Sequence, residues 1–313
     1  FMQASLAPST LFGDLPVLKL TYTLQIEGDG SLPDFLGSAW RGLVGWALKR
    51  LLCPYEKFKN CSEGCLLQPH CPYYLLFENK SQIPGVFDAP RGYIIYPQPG
   101  LKKGNCDVNI TLFGDYSKFA TVINKAIYQG QGAGIGKDRM PYILVDAVEK
   151  TPVDIKPLSI HKNQPVHCKG PFPLKTWLEP TKNNGKLYFI TPMRLKKKGH
   201  YQREMDWSFF LSTIVRRLES LNCLFNQGQL LGKEKWNNIS LFFEKNSSSS
   251  VDVKWVDLER FSNRQKRKIP MGGLVGEAFE QSSNPIILEW LETASLIHAG
   301  KGASMGWGRI ETA

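Results

Sequence analysis

Four of the seven cysteines fall within nineteen residues, as Cys53-x7-Cys61-x3-Cys65-x5-Cys71. Four thiolates in a short loop that also holds Gly64 suit a tetrahedral structural metal site, with zinc as first choice. A four-iron–four-sulfur cluster takes the same ligands, and the spacing leaves it open, as it leaves open four reduced, unliganded thiols. Closed by four sulfurs, such a site has no vacant position for catalysis, so its expected role is structural or in docking. Cys106, Cys168 and Cys223 read as ordinary thiols.

A second set of residues points to phosphate. Residues 129–139 (QGQGAGIGKDR) and 299–309 (AGKGASMGWGR) align without a gap, so that Gly130, Gly132, Ala133, Gly136 and Arg139 coincide with Gly300, Gly302, Ala303, Gly306 and Arg309. With Lys301 and Arg309 among them, Gly300, Gly302, Gly306 and Gly308 are placed to cradle phosphate through backbone N–H groups. The alternative is a turn that only packs a helix against a sheet. Arg264, Lys266, Arg267 and Lys268 put four cations into five residues, which suits phosphate contact better than base readout. Lys196, Lys197 and Lys198 form a second run, open to the reading of a solvated loop. Among five histidines, His200, flanked by lysines and Tyr201, and His298, against the second glycine turn, are the acid–base candidates. Arg41, Gly45 and Lys49 recur at i, i+4, i+8 and share one helical face, which serves either a reaction or a solvated surface.

The elements that must position these residues follow from periodicity. Leu18, Leu20, Tyr22, Leu24 and Ile26 alternate with polar residues and predict a half-buried strand over 17–27. Residues 35–52 predict a helix with Leu36, Trp40, Leu43, Ala47 and Leu51 on one side. Strands over 92–97 and 106–113, a helix over 119–127 and a strand over 141–148 complete the first half. The second half repeats the order: a strand over 186–196, a helix through Phe210, Ile214, Leu218, Leu221 and Phe225, and strands near 239–244, 251–258 and 271–280. A helix capped by Asn284 and Pro285 and a last strand in GWGRIETA follow. The serine run 247–250 reads as a hairpin tip or mobile loop. Strand–helix–strand–strand–helix–strand, twice, is the ferredoxin-like order. The expected class is therefore α+β: two tandem ferredoxin-like, RRM-like domains over 1–150 and 186–313, a connection over 151–185, and a cysteine-rich metal loop, 53–71, inserted in the first.

The 313 residues are enough for two cores, and 42% hydrophobic with 21% charged residues is globular composition. A net charge of +11 and a pI near 9.2 point to a polyanion: RNA, DNA or a membrane surface. No apolar run is long enough to span a bilayer, no basic amphipathic helix stands out, and no export signal opens the sequence. The expected location is the cytoplasm, with reduced thiols and no membrane partner.

Five segments, in order along the chain, together resemble the CRISPR-associated endoribonucleases that process precursor CRISPR RNA, members of the RAMP superfamily. They are WRGLVGWALKRL (40–51), CPYYLLFE (71–78), ITPMRLK (190–196), FSNRQKRKIPMGGLVG (261–276) and HAGKGASMGWGRIE (298–311). The resemblance implies binding to CRISPR repeat RNA and cleavage with no cofactor, in which a ribose 2′-OH attacks the adjacent phosphate and leaves a 2′,3′-cyclic phosphate and a 5′-OH. It also implies RNA contact by the C-terminal glycine loop. Such a reaction needs a base near the 2′-OH, an acid near the leaving oxygen and cations at the transition state. The family's usual histidine in the first helix is missing, since no histidine precedes His70 and Trp46 holds the corresponding place. That leaves His200, Arg41, Lys49 and His298 as catalytic candidates. It also keeps a rival open: a non-catalytic guide-RNA-binding subunit, or a module of a larger effector or adaptation complex.

Overall fold

The structure, a computed structural model, describes residues 4–27, 35–54, 61, 65–79, 89–98, 104–160, 165–179, 183–262 and 267–313. The chain divides into two compact units. One holds Pro16–Phe172 with Leu224–Asn226; the other holds the residues up to Leu15, Pro173–Cys223 and Gln227–Ala313. The short helix α1 (Pro8–Phe12) belongs to the latter.

In the Pro16–Phe172 unit, β1 (Pro16–Ile26) leads to α2 (Gly37–Leu52), a π-helical turn (Tyr74–Glu78), β2 (Tyr93–Pro97), β3 (Gly104–Phe113), α3 (Ala120–Gly130), β4 (Tyr142–Lys150) and β5 (Ile155–Pro157). The sheet runs β2-β3-β1-β4-β5, antiparallel throughout. As the central strand, β1 buries Leu18, Leu20, Tyr22, Leu24 and Ile26, the set its alternation singles out. Trp40, Leu43, Val44, Ala47 and Leu48 form the buried stripe of α2, and the Trp40 ring meets Tyr142 edge-on at 5.1 Å. Leu51, expected on that stripe, is exposed.

The two-residue strand β6 (Phe172–Pro173), which pairs with β1 as the sixth strand of that sheet, leads into the other unit, with β7 (Lys186–Met193) and a tight hairpin, β8 (Lys196–Lys197) and β9 (His200–Tyr201). Then come α4 (Trp207–Phe225), α5 (Lys233–Asn246), β10 (Ser249–Val256), the hairpin β11 (Glu259–Ser262) and β12 (Arg267–Pro270), β13 (Gly273–Glu280), α6 (Pro285–Ile297) and β14 (Ile310–Thr312). This sheet runs β10-β13-β7-β14, again antiparallel. Asn284 caps α6 as expected, its Oδ1 accepting from the Ile286 amide at 3.0 Å.

Two sequence expectations are corrected here. Residues 239–244 are helical, inside α5, because Ile239, Phe242 and Phe243 are buried at i, i+3, i+4. The serine run is no hairpin tip. Ser249 and Ser250 open β10, while the buried Glu280 carboxylate accepts from Ser247 Oγ (2.6 Å), the Ser248 amide (2.9 Å), the Ser282 amide (3.0 Å) and Trp207 Nε1 (2.9 Å). Such a carboxylate anchors the chain reversal on both sides. No described helix is long and apolar enough to cross a membrane.

Candidate functional site

Three of the segments singled out above meet at Arg194, which leaves the end of β7 with 9% of its surface exposed. Its carbonyl accepts from the Lys301 amide at 2.9 Å, which ties down the second glycine loop. Its Nη2 donates to the Pro270 carbonyl at 3.2 Å and its Nη1 lies 3.3 Å from Met271 Sδ, at the end of the β11–β12 hairpin. Its guanidinium carbon sits 4.2 Å from the centre of the Tyr201 ring on β9. Sequence reasoning quoted the ITPMRLK segment but did not single out this arginine. The available signal is a charge between Met193 and Leu195, both fully buried.

The second glycine loop is built from inside. Thr191 Oγ1 donates to the Gly306 carbonyl and accepts from the Arg309 amide, both at 2.8 Å. The Gly308 amide reaches the Pro192 carbonyl at 3.2 Å, and the Ala299 amide the Gly308 carbonyl at 2.9 Å. Gly300, Gly302, Gly306 and Gly308 all take positive φ, and a Cβ on Gly308 would stand 1.8 Å from the Ala299 carbonyl oxygen. Hence the amides of Lys301, Gly306, Gly308 and Arg309 are occupied within the protein. Arg309 also turns inward, with Nη1 on the Ser295 carbonyl at 3.0 Å and Nη2 3.5 Å from Glu311. The exterior of the loop is formed by the half-exposed Gly300, Lys301, Gly302, Ser304 and Met305. His298 is 3% exposed and its Nδ1 lies 3.2 Å from the Trp307 carbonyl, so this ring is part of the loop's interior.

The first glycine turn is not its conformational copy. Gly130 still belongs to α3, positive φ falls at Gly134, Gly136 and Arg139, and an Ile135–Met140 bridge closes the turn. Of the aligned glycines only Gly136 and Gly306 share the left-handed conformation.

His200 lies on the exposed β8–β9 hairpin, where Lys198 and Gly199, both at positive φ, make the two-residue turn. Lys196, Lys197, Lys198 and Tyr201 are exposed around it. Lys197 pairs with Asp206 at 2.8 Å, and this hydrogen bond holds the Asp206 carboxyl below its ordinary pKa. Arg267 and Lys268 are exposed on β12, and Lys268 stands 3.1 Å from Glu259. Arg264 and Lys266 lie outside the described residues.

In the other unit, the Arg41–Gly45–Lys49 face of α2 carries an aromatic cover. The π-helical turn lays Phe77 under the Arg41 guanidinium (5.2 Å), and the Lys49 ammonium sits 5.3 Å from the Tyr73 ring centre. A Cβ on Gly45 would stand 3.0 Å from the Phe77 ring, so the glycine permits this approach. Arg41 Nε donates to the buried Tyr93 hydroxyl at 2.9 Å. Both cations remain half-exposed beyond the rings. Phe77 and Tyr93 are the partners that helical spacing alone does not reveal.

Cys53, Cys61, Cys65 and Cys71 are all half-buried and unpaired by disulfides. Burial pushes the Cys61 thiol up in pKa, Lys49 opposes this, and Glu78, Cys71 and Cys53 add to it. Among the described residues, however, no three His, Cys, Asp or Glu side chains adopt a metal-holding arrangement. As placed, the thiols do not form a four-sulfur cage.

Exposed lysines around Tyr201, whose ring lies on the buried arginine that ties down a glycine loop, are features of a polyanion-binding α+β protein. Residues 187–310 match the family model described as CRISPR-associated endoribonuclease Cas6. Residues 15–169 match the model described as AF_1859_N, N-terminal domain. Among solved structures, a Cas6 product complex is similar at 14% identity and a TM-score of 0.57, covering 95% of this chain and 99% of that one. Thermus thermophilus Cas6 is similar at 12% identity and 0.54, covering 96% and 99%. A partial Cas6-RT-Cas1–Cas2 complex is similar at 12% identity and 0.55, covering 98% of this chain and 47% of that one. At these identities the likeness speaks for the fold. A comparison with curated proteins by sequence finds no match. Residues 187–310 thus carry a Cas6 endoribonuclease-type segment, and the likeness in fold to Cas6 structures extends over nearly the whole chain.

Proposed function

We propose that this protein binds CRISPR repeat RNA and cleaves it by 2′-OH attack on the adjacent phosphate, with no metal in the reaction and with 2′,3′-cyclic phosphate and 5′-OH ends. The observation that carries the reading is the match of residues 187–310 to the Cas6 endoribonuclease model, over the segment in which Arg194 joins the glycine loop to the basic hairpins. The outer edge of that loop and the cations at 196–198 and 267–268 are assigned to the RNA backbone. His200, the exposed histidine among lysines, is assigned proton transfer; Arg41 and Lys49 are assigned to transition-state charge. The buried His298 is assigned to holding the loop.

Incubation with repeat RNA in EDTA tests this. Cleavage to a 2′,3′-cyclic end, abolished by a 2′-deoxy substitution at the scissile nucleotide, is the expected result; tight binding of RNA that stays intact overturns the nuclease. The likeness to the Cas6-RT-Cas1–Cas2 complex favours a second reading, in which the chain also serves an adaptation assembly. Co-purification with Cas1 and Cas2 checks it.

Two structural proposals accompany this. Both sheets place their four principal strands in the same order, second-third-first-fourth, which supports two tandem ferredoxin-like units. The four-cysteine donor set of Cys53, Cys61, Cys65 and Cys71, half-buried and free of disulfides, supports a structural zinc site, with an iron–sulfur cluster as the alternative. Elemental analysis of purified protein, with close to one metal per chain expected, decides between them; absence of both metals refutes the site.

A further inference from the structure

Tyr201 has a setting that the proposed chemistry does not use. Two-fifths of this tyrosine is exposed, in the most basic surface stretch described. One side of its ring rests on the Arg194 guanidinium at 4.2 Å, and Lys196, its direct cross-strand partner on the hairpin, brings an ammonium to 6.0 Å. Exposing a large ring on a hairpin of lysines costs hydration free energy, and a short two-residue turn does not need it.

Arg194 does not move freely beneath the ring. Its side chain is held at Pro270 and Met271, its carbonyl at Lys301, and it is 9% exposed. The ring is thereby fixed in place relative to the glycine loop through one residue. Aromatic rings fixed among cations, with phosphates to neutralise nearby, are how proteins hold unpaired nucleotides. Preorganisation of the ring removes an ordering cost from binding.

We propose that Tyr201, seated on Arg194, is a stacking platform for an unpaired base of the RNA, next to the phosphates held by the glycine loop and the 196–198 lysines. The assignment rests on the RNA-binding reading above. A ring serves here where a leucine of similar volume would cover Arg194 equally well, because only the ring offers a π-face to a base.

The test compares wild type, Tyr201→Phe and Tyr201→Leu in titrations of a short unstructured RNA carrying 2-aminopurine. Tyr201→Leu is expected to weaken binding by about 5- to 150-fold and to abolish the quenching of 2-aminopurine, at every salt concentration, while Tyr201→Phe keeps both. Equal affinity and quenching for Tyr201→Leu and wild type overturn the platform while RNA binding stands. Equal losses in Tyr201→Phe and Tyr201→Leu also overturn it, because the hydroxyl rather than the ring would then matter. Failure of wild type to bind RNA overturns the underlying reading and the platform together. A second measurement needs no variant: 5-iodouridine RNA irradiated on the wild-type protein is expected to cross-link at Tyr201, and a cross-link map without Tyr201 overturns the proposal.

Discussion

Arg41 shows why a residue's type and spacing are not its role. The helical repeat that places Arg41, Gly45 and Lys49 on one face is legible in the sequence, and the structure keeps that face. What covers it is not legible, because Phe77 and Tyr93 lie 36 and 52 residues beyond Arg41, and no local periodicity links them to α2. Since Tyr93 is 2% exposed, Arg41→Ala leaves its hydroxyl buried without that donor. The expected cost is about 1–3 kcal/mol in chemical denaturation, and Tyr93→Phe in the same chain recovers part of it. A catalytic Arg41 gives a further effect: in the Tyr93→Phe background, Arg41→Ala lowers the single-turnover cleavage rate at saturating RNA while the folded fraction is unchanged. An unchanged rate assigns Arg41 to packing alone.

At the scale of the element, the second glycine loop depends on one hydroxyl. Thr191 Oγ1 joins the Gly306 carbonyl to the Arg309 amide, and all three groups are shielded. Thr191→Val keeps the shape and removes both bonds. Melting temperature and RNA affinity are expected to fall together, and Thr191→Ser is expected to restore both. Full affinity in a destabilised Thr191→Val protein detaches the loop from RNA. Gly308→Ala acts on the same loop through backbone sterics, and its loss of stability should exceed the roughly 1 kcal/mol of a tolerated glycine replacement, because the Ala299 carbonyl cannot yield. The repeat of the two glycine turns was visible as letters, but dihedral angles were not. In one turn the helix runs through Gly130; in the other it stops at Ile297 and the carbonyls of Arg194 and Pro192 take over. The same limit explains residues 239–244. ISLFF fits a strand or a buried helical turn equally well, and only packing distinguished them. The long alternating β1, the apolar stripe of α2 and the Asn284–Pro285 cap were legible because each carries its own period or capping chemistry.

Whole-molecule behaviour follows from charge. On the alkaline side, burial pushes the Cys106 thiol to about 11 and the Cys168 thiol and Tyr116 hydroxyl to about 12. These groups ionise in the unfolded chain before they ionise in the folded one. Their contribution is therefore complete below about pH 9 and is lost as the pH climbs towards 12. Urea midpoints measured at about pH 8, 9.5 and 11 should fall in that order, and Cys106→Val should flatten the first part of the fall. At neutral pH the +11 surplus governs association instead. Each phosphate neutralised on single-stranded RNA contributes about 0.7 to the slope of log affinity against log salt. Lys198, exposed at the hairpin turn, is expected to lower that slope by about this amount when changed to Gln. Asp206 and Glu259 compete with phosphate for Lys197 and Lys268 through exposed pairs, which are individually worth little to the fold. Asp206→Asn and Glu259→Gln together should therefore tighten binding and steepen the slope with little change in melting temperature. A slope that ignores all three substitutions places the polyanion away from both hairpins, whereas the Tyr201→Leu protein, having lost a stacked base and no charge, should bind more weakly along a parallel line.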